Sequence, residues 1–168
     1  MNQIKFAIFF AMIALTGCAG LEPAKESSIE SVIDVPGRTK EQIYSATKIW
    51  IAETFNSAKA VIEDDDKESG RVIGNGLIQY PCSGFACFAK EDWKLGFTMR
   101  VDIKDQKFKI TFLNLRFSMP PSRSGMFFVP GTERNVLQGE FDDARPALLA
   151  LSEQLRAAIE KEQAKANW

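Results

Sequence analysis

The chain contains no histidine among its 168 residues. This absence removes the usual general base near neutral pH, the commonest metal ligand and every catalytic triad that depends on imidazole. Blocks of basic residues are missing as well, because 21 Lys and Arg are scattered along the chain beside 22 Asp and Glu. Nucleic-acid binding needs a clustered basic face to neutralise phosphates, so nucleic acid is not an expected partner.

No apolar run near the start is long enough to span a membrane. The uninterrupted stretch at 6–15 would extend about 15 Å as a helix, whereas crossing hydrocarbon takes about 20 apolar residues. A basic Lys5 precedes this stretch, and small residues follow it. That layout is typical of a secretory signal, so we expect residues 1–17 to be a cleaved signal peptide.

Cysteine is scarce, with three in the chain, and the first follows this stretch directly. Leu15-Thr16-Gly17-Cys18 resembles the bacterial lipobox, in which cleavage precedes the cysteine and lipid is attached to its sulfur. The resemblance implies several acyl chains on Cys18, which anchor a protein stably. Ala19, rather than Asp, implies the outer membrane, with the periplasmic side assumed. Residues 18–28 would then form a lipidated tether. The alternative is an ordinary signal followed by a chance cysteine.

Cys82 and Cys87 are the two cysteines left for ordinary chemistry. In an exported protein such a pair favours a disulfide, and the small loop suggests about 2 kcal/mol of stabilisation. A redox-active pair and free thiols are the alternatives. The spacing is not Cys-x-x-Cys, and two cysteines without histidine make a poor zinc site. We expect no metal and no cofactor.

Hydrophobic periodicity predicts one α+β domain over residues 29–160, followed by a polar tail at 161–168. Thr39 and Gln42 match a capping box, which predicts a helix ending near Phe55. A second amphipathic helix is expected to begin near Asp142 or Asp143, with Pro146 in its first turn. The strands are predicted at 29–35, 60–62, 71–80, 95–103 and 108–117. The β-α-β-β-β-β-α order predicts an antiparallel sheet with two helices packed on one face.

Three local patterns refine this architecture. The alternation of apolar residues changes phase between Phe112 and Leu113, as a β-bulge would produce. Gly74-Asn75-Gly76 is interpreted as strand with a bulge or a close approach. The acidic run 63–68 is interpreted as a solvated turn, because as a Ca²⁺ loop it would have Asn75 where the bidentate Glu belongs.

An apolar run stands where a polar loop is expected. Residues 118–139 contain Pro120-Pro121 and several glycines, which indicate a long loop, yet Met126, Phe127, Phe128 and Val129 lie within it. Either this run folds back over the sheet, or it contacts a partner protein, an apolar ligand or the membrane surface. The same alternatives apply to Trp93.

Several short segments form a recognisable pattern: Val35-Pro36-Gly37, Glu41-Gln42-Ile43-Tyr44, Trp50, Phe55, Val61-Ile62 and the stretch from Asp66 to Gly76. Together they resemble an uncharacterised bacterial envelope family. The resemblance covers roughly residues 30–117 and is strongest at 61–76; it implies a TATA-binding-protein-like fold and no assigned activity. The Cys82–Cys87 insert and the Pro-rich loop depart from the family pattern. The fold name does not imply DNA binding.

The expected function is therefore a non-enzymatic, membrane-anchored accessory module that contacts another envelope protein. The alternative is a binder of a small apolar or lipid ligand, held between the sheet and the 118–139 loop. A hydrolase using carboxylates such as Asp64 or Glu91 is least favoured, because it requires two acids at a defined separation in one cleft.

Overall fold

The computed structural model describes residues 22–55, 62–82, 84–124 and 126–166. The predicted signal peptide at 1–17 and Cys18 lie outside these residues. Within the described ranges the chain forms eight strands, one 3₁₀ helix and two α-helices. These are β1 Ser28–Asp34, α1 Lys40–Thr54, β2 Ile62–Asp66, β3 Arg71–Gln79, the 3₁₀ helix Phe85–Lys90, β4 Lys94–Lys104, β5 Lys107–Met119, β6 Ser122–Ser124, β7 Phe127–Val129, β8 Thr132–Asn135 and α2 Gln138–Ala166.

Six of the strands form one antiparallel sheet. Five of them follow the order β1-β5-β4-β3-β2, and the sixth, β8, pairs with β5. β1 and β8 share one edge of β5: β1 pairs with residues 107–113 and β8 with residues 116–119. β6 and β7 form a separate hairpin between β5 and β8. The predicted α+β class, an antiparallel sheet with two helices, is confirmed.

The core lies between the sheet and the two helices. Along β4 every second residue is buried, as the period of a half-buried strand requires. The buried residues of β4 meet apolar side chains that recur at helical spacing along α2. The principal members are Leu95, Phe97, Met99, Val101 and Ile103 of β4, and Phe141, Leu148, Leu155 and Ile159 of α2.

The first helix begins where its capping box predicts. The Thr39 hydroxyl accepts a hydrogen bond from the Gln42 backbone N–H at 3.3 Å, and the Thr39 N–H donates to Gln42 Oε1 at 3.0 Å. Phe55 is the C-cap. Ile43, Ala46, Trp50 and Ile51 lie on the inner side of this helix and are all buried.

The predicted bulge in β5 is confirmed. The register between β4 and β5 shifts between Gly96 and Thr98, and Asn114 adopts a left-handed φ of 52°. Gly76 lies in an unbroken β3, as preferred from the sequence. A Cβ there would stand 2.4 Å from the Phe97 ring, so the close packing of this ring requires glycine.

The acidic run is not a turn throughout, which corrects the sequence interpretation. Asp64, Asp65 and Asp66 belong to β2 and pair with residues 71–73 of β3; the turn covers only residues 67–70. Sheet pairing and the ion pair from Lys48 to Asp65 hold these poor strand formers in place.

The interpretation of 118–139 as a long loop is wrong. It contains β6, β7 and β8, and α2 begins at Gln138, so Pro146 lies inside the helix rather than in its first turn. The earlier start has a local cause, which is the set of bonds that Glu140 accepts from residues just before the helix. Glu140 accepts a hydrogen bond from the Leu137 N–H at 2.9 Å and both of its oxygens lie 2.7 Å from the Arg134 guanidinium.

Candidate functional site

Both long connections of the sheet leave it at the same end. The β3–β4 connection contains the disulfide between Cys82 and Cys87, so the bonded state expected from the sequence is the one found. Phe85 and Phe88 project from this disulfide loop, with 88% and 77% of their surfaces exposed and their ring centroids 5.4 Å apart. Two neighbouring exposed Phe rings are unusual on a protein surface.

The apolar run of the second connection is exposed too. In the β6–β7 hairpin, Met126 is fully exposed and Phe128 is 63% exposed, with Val129 less so. The backbone of Phe127 pairs with Ser124, but its side chain lies outside the described part of the structure. Most of the surface of Met126 and Phe128 is exposed, so the hairpin does not bury these side chains against the sheet. We call Phe85, Phe88, Met126, Phe128 and Val129 the aromatic end.

Trp93 differs from the aromatic end, because it packs against the core. Its ring lies edge-on to Phe117 at 4.9 Å and to Tyr80 at 5.7 Å, and Lys90 Nζ lies 5.2 Å from its centroid. Trp93 therefore supports the base of the disulfide loop.

Tyr80 ties the disulfide loop to α2. Its ring is buried and its hydroxyl donates to Asp143 Oδ2 at 2.9 Å. Burial, followed by the hydrogen bond and the negative charge of Asp143, raises the pKa of Tyr80 far above its usual value. The loop and the first turns of α2 are thus held together by a neutral phenol.

The face of the sheet opposite the helices, which we call the open face, carries a polar groove of about 560 Å³. A row of hydrogen bonds crosses it: Asn75 donates to Glu63 at 2.5 Å, the Thr98 hydroxyl to Asn75 at 3.0 Å, and Asn114 to Thr98 at 3.4 Å. At the far side Arg116 pairs with Glu133 at 3.1 Å. The polar groove is defined by Asn75, Gly96, Thr98, Asn114, Arg116 and Glu133.

Beside the groove, the open face carries charges of both signs in contact. Arg100 Nε lies 2.8 Å from Asp102 Oδ2, and Arg71 Nε lies 3.4 Å from Oδ1. Partial burial raises the pKa of Asp102, but the two guanidinium groups outweigh it and hold that pKa below its usual value. A face of paired charges is suited to another protein's polar surface.

Sequence reasoning did not single out the groove residues. In the structure, Asn75 and Thr98 lie at the half-buried positions that alternate with the buried residues of β3 and β4, and nothing in the sequence distinguishes them from other polar strand positions. The phase change in β5 was the available signal for Asn114, because the extra residue of a bulge is redirected out of the ladder.

The structure does not bring Asp64 and Glu91 together. Asp64 pairs with Ile73 near the start of β3, while the carbonyl of Glu91 accepts a hydrogen bond from Gln79 at its end. Ile73 and Gln79 are six residues apart along β3, a distance of roughly 20 Å at 3.3 Å per residue. Within the described ranges no three His, Cys, Asp or Glu residues are placed to hold a metal ion.

None of the helices in the described part of the chain is both long and apolar enough to cross a bilayer.

Two solved structures have a fold similar to that of this chain. A crystal structure of a TBP-like protein from Parabacteroides distasonis superposes with a TM-score of 0.59 at 10% identity, covering 79% of this chain and 92% of that one. A DUF4468 family protein from Bacteroides ovatus superposes with a TM-score of 0.53 at 13% identity, covering 88% and 92%. No curated protein matches the sequence. Residues 30–118, more than half of the chain, match the family model described as a domain of unknown function (DUF4468) with TBP-like fold. The chain therefore belongs to the DUF4468 family of TBP-like domains.

Proposed function

We propose that this chain is a non-enzymatic module of the bacterial cell envelope, anchored to the outer membrane through lipid on Cys18, that presents its open face to another envelope protein. The observation that carries the proposal is the polar groove, a concave surface built from amides and paired charges on a sheet face that no described residue covers. The anchor is supported by the lipobox-like Leu15-Thr16-Gly17-Cys18.

The chemistry of the groove favours binding over catalysis. Its lining combines amides and hydroxyls with the Glu63 carboxylate, one ion pair, Arg116–Glu133, whose partners are both more than half exposed, and the apolar side chains of Leu77 and Phe97. The polar groups form hydrogen bonds with a polar surface, and they provide no nucleophile paired with a base. A small apolar or lipid ligand stays a prediction, for which Leu77 and Phe97 are the apolar contacts in the groove.

The charges of the open face favour protein as the partner. Arg71 and Arg100 share the carboxylate of Asp102. Lys109 and Arg116 lie beside Glu30 and Glu133, so negative charges interrupt the positive ones and the face has no continuous positive stripe for phosphates. Charges of both signs at fixed positions select a partner surface with complementary charges.

The test is crosslinking and co-purification of the lipidated, full-length protein from its native membranes. We expect a reproducible stoichiometric partner that is lost in Arg116→Glu, a charge reversal at the edge of the groove. Arg156→Glu is the matched control, because Arg156 is a comparably exposed arginine, paired with Glu153 at 2.8 Å on α2. A protein that repeatedly comes away alone, or a partner retained equally by both variants, would contradict the proposal.

A further inference from the structure

The first residues that the structure describes, 22–26, are bonded to α2. The carbonyl of Glu22 accepts a hydrogen bond from the Gln138 N–H at 2.8 Å, and the Lys25 N–H donates to Gln138 Oε1 at 2.9 Å. Glu26 pairs with Arg145 at 2.5 Å, two turns further along the helix. Residues 22–26 therefore lie along the beginning of α2, and they do not lengthen a flexible tether from Cys18.

A lipid anchor on Cys18 would consequently be short. Cys18 and Glu22 are four residues apart, and a fully extended chain spans at most about 14 Å over that distance, at 3.3–3.6 Å per residue. The start of α2 would then be held within about that distance of the lipid headgroups, which restricts which surfaces of the domain can reach the membrane.

The same turns of α2 hold the disulfide loop. Tyr80 is bonded to Asp143, and a shallow cleft at the loop's base is lined by Pro81, Cys82 and Lys90 on one side and by Asp142, Asp143 and Pro146 on the other. From Gln138 to Pro146 the helix rises about 12 Å, at 1.5 Å per residue. The anchor point and the base of the disulfide loop are thus neighbours on one helix.

The hairpin leaves the sheet at this end as well. Phe117, near the end of β5, contacts the Trp93 ring, and Arg134 of β8 links Phe117 to Glu140 of α2. In the hairpin, Arg123 is the cross-strand partner of Phe128. A cation beside an exposed ring is the arrangement that places a ring among acyl chains and a charge among headgroups.

We propose that the aromatic end is a membrane-contact surface, whose exposed rings enter the headgroup region of the bilayer that holds Cys18. The inference rests on the lipid anchor of the proposed function. Because the anchor keeps these rings close to the bilayer, their high effective concentration lets a contact of a few side chains persist. The contact fixes the orientation of the domain and leaves the open face turned to the periplasm for its partner.

The test places tryptophan probes on the lipidated full-length protein in vesicles of phosphatidylethanolamine and phosphatidylglycerol with brominated acyl chains. Phe88→Trp introduces a probe at the aromatic end. Val32→Trp is the matched control, since Val32 is 65% exposed and lies on the open face opposite Lys109. Emission is read as the difference from wild type, which removes the contribution of the three native tryptophans.

We expect the Phe88→Trp probe to be quenched and blue-shifted in the vesicles, and the Val32→Trp probe to be unchanged. A Phe88→Trp probe quenched no more than the control, in protein that floats with the vesicles, would overturn the membrane contact, leave the anchor intact and point to a protein at the aromatic end. Protein that does not float with the vesicles would overturn the anchor and the contact together.

Discussion

On β5, neighbouring residues meet two different environments. Phe112 is buried under the helices, edge-on to Phe97 with ring centroids 5.4 Å apart. Lys109, three residues earlier, lies on the open face with its Nζ 3.9 Å from Glu30, and the two side chains are 42% and 52% exposed. The same strand therefore contributes apolar packing on one face and solvated charges on the other.

The two faces of the sheet contribute differently to the stability of the fold. Burial of apolar side chains is the dominant favourable contribution to folding, whereas exposed ion pairs contribute about 0–1 kcal/mol each. The charges and amides of the open face can therefore vary at little cost in stability, while the face under the helices is constrained by packing. Four predictions test this comparison.

The largest effect is expected at the covered face. Phe112→Ala should lower the free energy of unfolding by about 3–5 kcal/mol, because a buried ring is replaced by a cavity. Lys109→Ala on the open face should change it by less than about 0.5 kcal/mol. Urea denaturation of both variants measures the two values, and similar losses for both would contradict the division between the faces.

The disulfide loop should contribute less than the core. Cys82→Ser combined with Cys87→Ser should lower the free energy of unfolding by about 2 kcal/mol, since a small closed loop restrains the unfolded chain only modestly. Wild-type protein under reducing agent should show the same loss. An unchanged urea midpoint after reduction would show that the bond between Cys82 and Cys87 does not stabilise the domain.

A smaller and pH-dependent effect is expected for Glu140. Partial burial raises the pKa of Glu140, but the hydrogen bonds from Arg134 and the Leu137 N–H outweigh it, so that the pKa lies below its usual value of 4.5. The stabilisation is therefore present above that usual value and is lost as the pH falls through the lowered pKa. Glu140→Gln should cost about 1–2 kcal/mol at neutral pH, and this difference from wild type should shrink on acidification.

The control for this prediction is Glu153→Gln, which removes an exposed partner of Arg156 on the same helix. It should change stability by less than about 0.5 kcal/mol. A Glu140→Gln effect that grew as the pH fell would be the wrong sign for a lowered pKa and would contradict the account of the start of α2.

The smallest effect is spectroscopic. The chain has two tyrosines, so Tyr44→Phe leaves Tyr80 as the only phenol. Because burial and Asp143 raise the pKa of Tyr80, its absorbance near 295 nm should show the phenol still protonated when a free tyrosine, with a pKa of about 10, is half ionised. Asp143→Asn should move the titration to lower pH; no change would show that Asp143 does not influence the phenol.

Local signals predicted the parts of the fold that local chemistry determines. The capping residues Thr39 and Gln42 define the start of α1, and the phase change after Phe112 reveals the bulge. In both cases the causal residues are neighbours in sequence, so one sequence contains the whole signal.

The two misassigned segments have different causes. The acidic residues of β2 become strand because β3 and Lys48 supply partners, which the composition of the run does not show. The early start of α2 has a local cause that hydrophobic periodicity does not show, since Arg134 and the Leu137 N–H engage Glu140. The polar groove depends on three strands, β3, β4 and β5, that meet at Asn75, Thr98 and Asn114. No single stretch of sequence contains that juxtaposition, so composition and periodicity could not reveal it.

The central claim is that the domain is held at a membrane through Cys18, and intact-mass spectrometry of the protein extracted from its native membranes tests it most directly. The account predicts a mature chain that begins at Cys18 and carries the mass of several acyl chains on this residue. A chain that retains residues 1–17, or one that begins elsewhere and carries no lipid, would contradict it.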